Sequence, residues 1–208
     1  MSVRKRDGTN MIDQNRLLAI TDGVVAIAAT IMVLQLVVPT EISMAAVAEQ
    51  WPTLVAYIIS FIQIFLAWHE HHDSLFNAKI VNHRIFLINC LWLFFITLLP
   101  FVTGVVGHSP DHQASMLLYI LILFLIQLAI TIESRSICKL NKTTVLDYEV
   151  IKKIRIISFA GYILAAASTF INPFFAYITI LALSFIEILL MCLYDIKIGK
   201  LIQKEEKE

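Results

Sequence analysis

The stretch Arg16-Leu17-Leu18-Ala19-Ile20-Thr21-Asp22-Gly23-Val24-Val25-Ala26-Ile27-Ala28-Ala29-Thr30-Ile31-Met32-Val33-Leu34-Gln35-Leu36-Val37-Val38 carries one cation and one anion near its start and is otherwise almost wholly apolar or small. A helix rises 1.5 Å per residue, so about 20 apolar residues cross roughly 30 Å of hydrocarbon. The run from 17 to 38 is long enough to do so, and five more of the same kind follow at about 51–69, 85–106, 113–132, 154–171 and 174–194. A membrane barrel would read as short alternating segments instead. The pattern predicts an all-α polytopic membrane protein of six transmembrane helices, forming one unit over residues 1–208.

Composition agrees with this reading. Of 208 residues, 59% are hydrophobic and 15% charged, with a mean hydropathy of +0.79. A soluble domain has about a quarter of its residues charged, so that class is excluded, as are a disordered tail and a disulfide scaffold. Net charge is zero, which gives no reason to expect a nucleic-acid partner; the implied surroundings are a lipid bilayer.

Basic residues in short loops stay on the cytoplasmic side. They fall at the N-terminus (Arg4, Lys5, Arg6, Arg16), in the second loop (Lys79, Arg84), in the fourth (Arg135, Lys139, Lys142, Lys152, Lys153, Arg155) and in the tail (Lys197, Lys200, Lys204, Lys207). No basic residue is left for the other face, whose loops carry Glu41, Glu49 and Asp111. Both termini are therefore expected in the cytoplasm. A cleavable signal peptide ending at Ala46-Val47-Ala48 is disfavoured, because the apolar run is too long and contains Asp22. Cys90, Cys138 and Cys192 lie within spans or on the cytoplasmic side and read as packing residues. No internal repeat is visible, and Pro100 is the one proline well inside a span.

Ionisable and polar groups inside a bilayer are expensive and mark functional candidates. Arg16 and Asp22 lie about 120° apart on the first helix, so each needs a partner on another helix. Trp68 and His71 at the end of the second span and Asn89 in the third are expected at the same depth, where Asp22, Trp68, His71 and Asn89 would tie three helices together. The run His69-Glu70-His71-His72-Asp73 lacks the second histidine of a zinc protease motif. A cytoplasmic metal site there is an alternative. No activated nucleophile, paired carboxylates or phosphate-binding loop is present, so an enzyme is not expected and no cofactor is implied. Ile27 shares its helical face with Ile20, Thr30, Ile31 and Leu34, about 140° from Asp22. Periodicity leaves open whether that face meets lipid, protein or a pore.

The run from Arg16 through Asp22 and Ile27 to Leu34, followed by Val38-Pro39, resembles the signature of the transmembrane protein 175 family of potassium channels. Ile20 and Thr21 stand where members carry phenylalanine and serine. Further matches are Trp68, His71, His72, Leu75-Phe76, Asn89 and Leu99-Pro100-Phe101, so the resemblance covers roughly residues 16–103. It implies a potassium-permeable cation channel without a carbonyl filter, and no Thr-Val-Gly-Tyr-Gly sequence occurs. It further implies a homotetramer of single six-helix units, as in the bacterial members, in the plasma membrane of a prokaryotic cell, with potassium as the permeant ion. The first helix would line the pore, with its constriction at Ile27 and, further out, Thr30 or Ile31 and Leu34. A structural polar network would comprise Arg16, Thr21, Asp22, Trp68, His71 and Asn89. The rival functions are an ion-coupled transporter and a metal-sensing membrane protein using His69–His72.

Overall fold

In a computed structural model, residues 12–39, 43–76, 78–141 and 145–205 are described, and every regular element among them is a helix. Six long helices form the bundle: α1 (Gln14–Met32), α3 (Trp51–Phe76), α4 (His83–His108), α5 (Gln113–Asn141), α6 (Val145–Ser168) and α7 (Pro173–Glu205). A short α2 (Met44–Ala48) lies in the connection before α3. Of the long helices, α1, α3, α4, α5 and α7 contain described stretches long and apolar enough to cross a membrane. The side chains of α6 are described from residue 152 onward.

Local chemistry sets the helix ends. The carboxylate of Asp13 accepts from Asn15 N–H at 3.0 Å, and Ser43 and Asn82 cap α2 and α4 by accepting from Ala46 N–H and Ile85 N–H. Such caps satisfy amides that have no carbonyl behind them. Proline opens α7, where its missing N–H costs nothing, and Asn172 caps that turn through Phe174 N–H at 2.9 Å. At its far end α1 tightens into a single 3₁₀ turn, Val33–Gln35.

Packing puts α1 on α3 and α4, α4 on α5, and α6 on α7. The core comprises Met32, Ile59, Ile64, Trp92, Ile96, Leu99, Met116, Tyr119, Tyr162 and Ile180, each essentially inaccessible. Gly107 permits a close approach between α3 and α4, since a Cβ there would lie 2.8 Å from Thr53 Cα. The start of α1 is tied to the end of α3, because Gln14 Nε2 donates to the carbonyls of Leu75 and Phe76 at 2.5 and 2.9 Å. Asn141, the last residue of α5, clasps Lys79 and Ile80 in the connection to α4. These links gather the start of α1, the end of α3, the start of α4 and the end of α5 at one end of the bundle, which is the basic end.

Several helices outrun the spans expected from hydropathy, chiefly at this end. The second span was expected to stop at 69, but α3 continues to Phe76; the fourth was expected to stop at 132, but α5 continues to Asn141. Hydropathy registers where a helix leaves lipid, whereas hydrogen bonding continues until a cap or loop ends it.

Candidate pore helix and polar networks

One face of α1, formed by Leu17, Leu18, Thr21, Val25, Ala28, Ala29 and Met32, is buried against the bundle. The other is bare. Ile20, Ile27, Ile31 and Leu34 are 57%, 59%, 44% and 73% exposed, and together they form an aliphatic stripe along the helix. Ile27 and Ile31 also wall an open groove of about 470 Å³ whose opposite side is Thr97, Pro100 and Phe101 of α4. Thr30 is exposed beside them, and its hydroxyl donates to the Ile27 carbonyl at 2.9 Å. That bond uses the one hydroxyl hydrogen and leaves oxygen lone pairs as acceptors.

The polar residues at the basic end fall into two sets. On the surface, Trp68 Nε1 donates to Asp22 Oδ1 at 2.8 Å, joining α3 to α1. In the interior, the Asn89 amide donates to Thr21 Oγ1 at 3.2 Å and meets His71 Nε2 at 2.7 Å. His71 Nε2 in turn lies 3.4 Å from Glu133 Oε1 on α5. Thr21, His71, Asn89 and Glu133 are at most 1% exposed, so this chain joins α1, α3, α4 and α5 out of contact with solvent. The His71 ring stacks on Trp92 with centroids 4.6 Å apart and planes within 3°. Arg16 is exposed and makes no ion pair among the described residues.

The histidine run does not converge. His71 points inward, His72 stacks on Phe76 and meets Trp68 at a tilt, and His69 lies 3.6 Å from Asp73 on the outside of α3. Among the described residues no three potential ligands could hold a metal ion.

Two further networks were not anticipated from the sequence. Gln63 of α3 donates to Ser184 Oγ at 2.9 Å and Glu187 Oε2 at 3.1 Å, while its own carbonyl accepts from Tyr162 OH at 2.6 Å. Ser158 donates to Glu187 Oε1, and Arg155 bonds Glu70 through both Nε and Nη2, so α3, α6 and α7 are held together by buried polar groups. Nearer the other end, Ser60 meets Thr103 Oγ1 at 2.7 Å and Tyr119 OH at 2.8 Å, joining α3, α4 and α5. The available signal was Glu187, an isolated acid within the last apolar run, together with Gln63 in the second.

Residues 16–100 match the family model described as Endosomal/lysosomal potassium channel TMEM175. A potassium channel of Chryseobacterium sp. is 34% identical over 165 residues, covering 78% of this chain and 86% of that protein. The chain belongs to the TMEM175 family. Other relatives are a potassium channel of Chamaesiphon minutus, 31% identical over 48% of this chain and 52% of its own length, and one of Streptomyces collinus, 30% identical over 50% and 53%. The crystal structure of a lysosomal potassium-selective channel TMEM175 homolog from Chamaesiphon minutus superposes with a TM-score of 0.73 at 24% identity, over 85% of this chain and 96% of that one. This likeness shows that the TMEM175 fold is present, and the family is one of channels rather than enzymes. The segment matching the TMEM175 model contains the bare stripe of α1, the Asp22–Trp68 pair and the Thr21–Asn89–His71 links. Glu133 and the α6–α7 network lie beyond it.

Proposed function

We propose that this chain is the subunit of a potassium-permeable cation channel, acting as a homotetramer in the plasma membrane of a prokaryotic cell, with both termini cytoplasmic. The observation that carries the reading is the bare aliphatic stripe of α1, on a helix whose other face is fully packed. Family membership agrees with it, as do relatives named potassium channels.

Four copies of α1 around an axis would bring four Ile27 side chains together as the narrowest ring, with Thr30, Ile31 and Leu34 further out. A ring of branched aliphatic groups repels water, so it conducts when slight dilation lets it wet. Such side chains cannot replace an ion's hydration shell as carbonyls do, so selectivity is modest. The acceptor lone pairs of Thr30 supply the polar contact on that face. The polar set of Thr21, Asp22, Trp68, His71 and Asn89 positions α1 and does not touch the ion.

The test is current through purified protein in planar bilayers. Ile27→Ala widens the ring and Ile27→Asn makes it hydrophilic, and both raise cation leak while the protein stays folded. In a background with Cys90, Cys138 and Cys192 replaced, Ile27→Cys is blocked by a small water-soluble thiol reagent and Val25→Cys, on the buried face, is not. Block at Val25 with Ile27 unreactive places the pore on a different face. If Ile27 is merely a packing residue, alanine leaves flux unchanged and destabilises by about 2–5 kcal/mol.

A further inference from the structure

At the basic end, the start of α4 and the end of α5 enclose a second open groove of about 470 Å³. Its rim carries Arg84, Arg135 and Lys139, and its walls include Ile132, Ser136 and Leu140. All three cations are exposed, none forms an ion pair with a described residue, and among the described residues no carboxylate lines the groove. The arrangement is built rather than incidental. Asn141 Oδ1 accepts from the Lys79 and Ile80 amides, both at 2.8 Å, and its Nδ2 donates to the Ile80 carbonyl at 3.1 Å and the Ile137 carbonyl at 3.0 Å. This clasp holds the end of α5 against the connection leading into α4, so Arg84 is kept beside Arg135 and Lys139 despite their mutual repulsion. The first turn of α4 adds its dipole and its unpaired amides to the same positive field.

A second observation identifies the occupant. On α5, Leu118, Leu121, Leu128 and Ile132 are 37%, 50%, 36% and 40% exposed and follow at helical spacing, with half-buried Leu125 between them. Continued toward the basic end, the same stripe reaches Arg135 and then Lys139. Leu121 to Ile132 spans about 17 Å along the helix, close to one leaflet of a hydrocarbon core roughly 30 Å thick. A free anion would use the cations and leave the stripe bare, whereas a molecule with a negative headgroup and long acyl chains matches both.

We propose that this groove is a binding site for an anionic phospholipid, its phosphate held by Arg84, Arg135 and Lys139 and its acyl chains lying along Leu121–Ile132. Grooves lined by basic residues between transmembrane helices, at the end where the cations collect, recognise such headgroups, and each cation near the surface contributes roughly fivefold in affinity.

The experiment is native mass spectrometry of the detergent-solubilised full-length protein titrated with phosphatidylglycerol, phosphatidylcholine or inorganic phosphate. The wild type retains phosphatidylglycerol and not phosphatidylcholine, and R84Q/R135Q/K139Q binds it about a hundredfold more weakly. The control R4Q/K5Q/R6Q, which removes as much charge while leaving every described residue of the groove unchanged, retains it as the wild type does. Equal losses in both variants, or equal retention of phosphatidylcholine, would overturn the proposal. Inorganic phosphate that displaces phosphatidylglycerol at matched concentration would make the site one for a free anion and overturn it too. If the triple variant does not fold, Ser136→Trp decides, because it fills the groove and keeps every charge: loss of phosphatidylglycerol supports the site and full retention refutes it.

Discussion

Asn89 serves Thr21 and His71 through a single amide, and His71 is the polar neighbour of a carboxylate for which the structure shows no hydrogen-bond donor. A buried acid in that position is costly once its partner is removed, and the cost is larger than the worth of the pair itself. His71→Leu, which keeps most of the volume against Trp92, is expected to destabilise the protein by about 3–5 kcal/mol. Adding Glu133→Gln should recover a large part of that loss, because the buried acid left without its polar neighbour is then replaced by an amide of the same shape. Thermal unfolding in detergent, followed by loss of tryptophan fluorescence, measures both. Recovery absent in the double variant would mean that His71 acts through stacking on Trp92 alone. Three members of this chain were readable beforehand, since Thr21, His71 and Asn89 are polar residues in apolar runs. Glu133 was not. It sits immediately after the point where the fourth apolar run ends, in Ile132-Glu133-Ser134-Arg135, and hydropathy assigns that position to a solvated loop.

At the level of helices the sequence marked six segments but misjudged their lengths and polar linkages. Apolar runs reveal where lipid or core is required, and both demands fade at the interface, where α3 and α5 continue for further turns. Contacts such as Gln63 with Glu187 join residues 124 positions apart, a separation at which periodicity carries no information. Close helix approach is equally silent in a hydropathy trace. Gly107 of α4 lies so near α3 that an added Cβ would meet Thr53 Cβ substituents and Cα at 2.7–2.8 Å. Backbone cannot yield as a flexible side chain can, so Gly107→Ala forces α3 and α4 apart. Overpacking of this kind costs about 1–3 kcal/mol. The expected result is a lower unfolding temperature and less folded protein by size-exclusion chromatography. Gly23 has nothing within 4 Å of the corresponding position, so Gly23→Ala provides a matched substitution with little effect on stability. Equal losses at the two sites would show that helix approach is not the cause.

Across the whole molecule, membership of a channel family was readable from the first three spans because their polar residues recur at fixed spacing, whereas the later helices offered hydropathy alone. Charge is the other property visible at this scale. The chain is neutral, the described cations Lys79, Arg84, Arg135 and Lys139 lie at one end of the bundle, and the connections before the second apolar run and after the third, which lack lysine and arginine, hold Glu41, Glu49 and Asp111. If the remaining charges lie on the basic side, as the distribution of lysine and arginine along the sequence leads one to expect, neutrality gives that side a formal excess of three positive charges per chain. If α1 lines the axis, the two mouths present opposite potentials to the same ion. Cations are concentrated at the acidic mouth and thinned at the basic one, by an amount that fades as salt screens the fields. In symmetric solutions of low ionic strength the open pore should therefore rectify, passing more cation current from the acidic side toward the basic side than in reverse. Raising potassium chloride from about 10 mM to 1 M shrinks the Debye length from about 30 Å to 3 Å, and the current–voltage relation should straighten accordingly. Curvature that persists unchanged at high salt would have to come from the shape of the pore. Topology and ion flux would be linked in this way: with α1 on the axis, the lysines and arginines that set the orientation of the chain would also make its conductance directional.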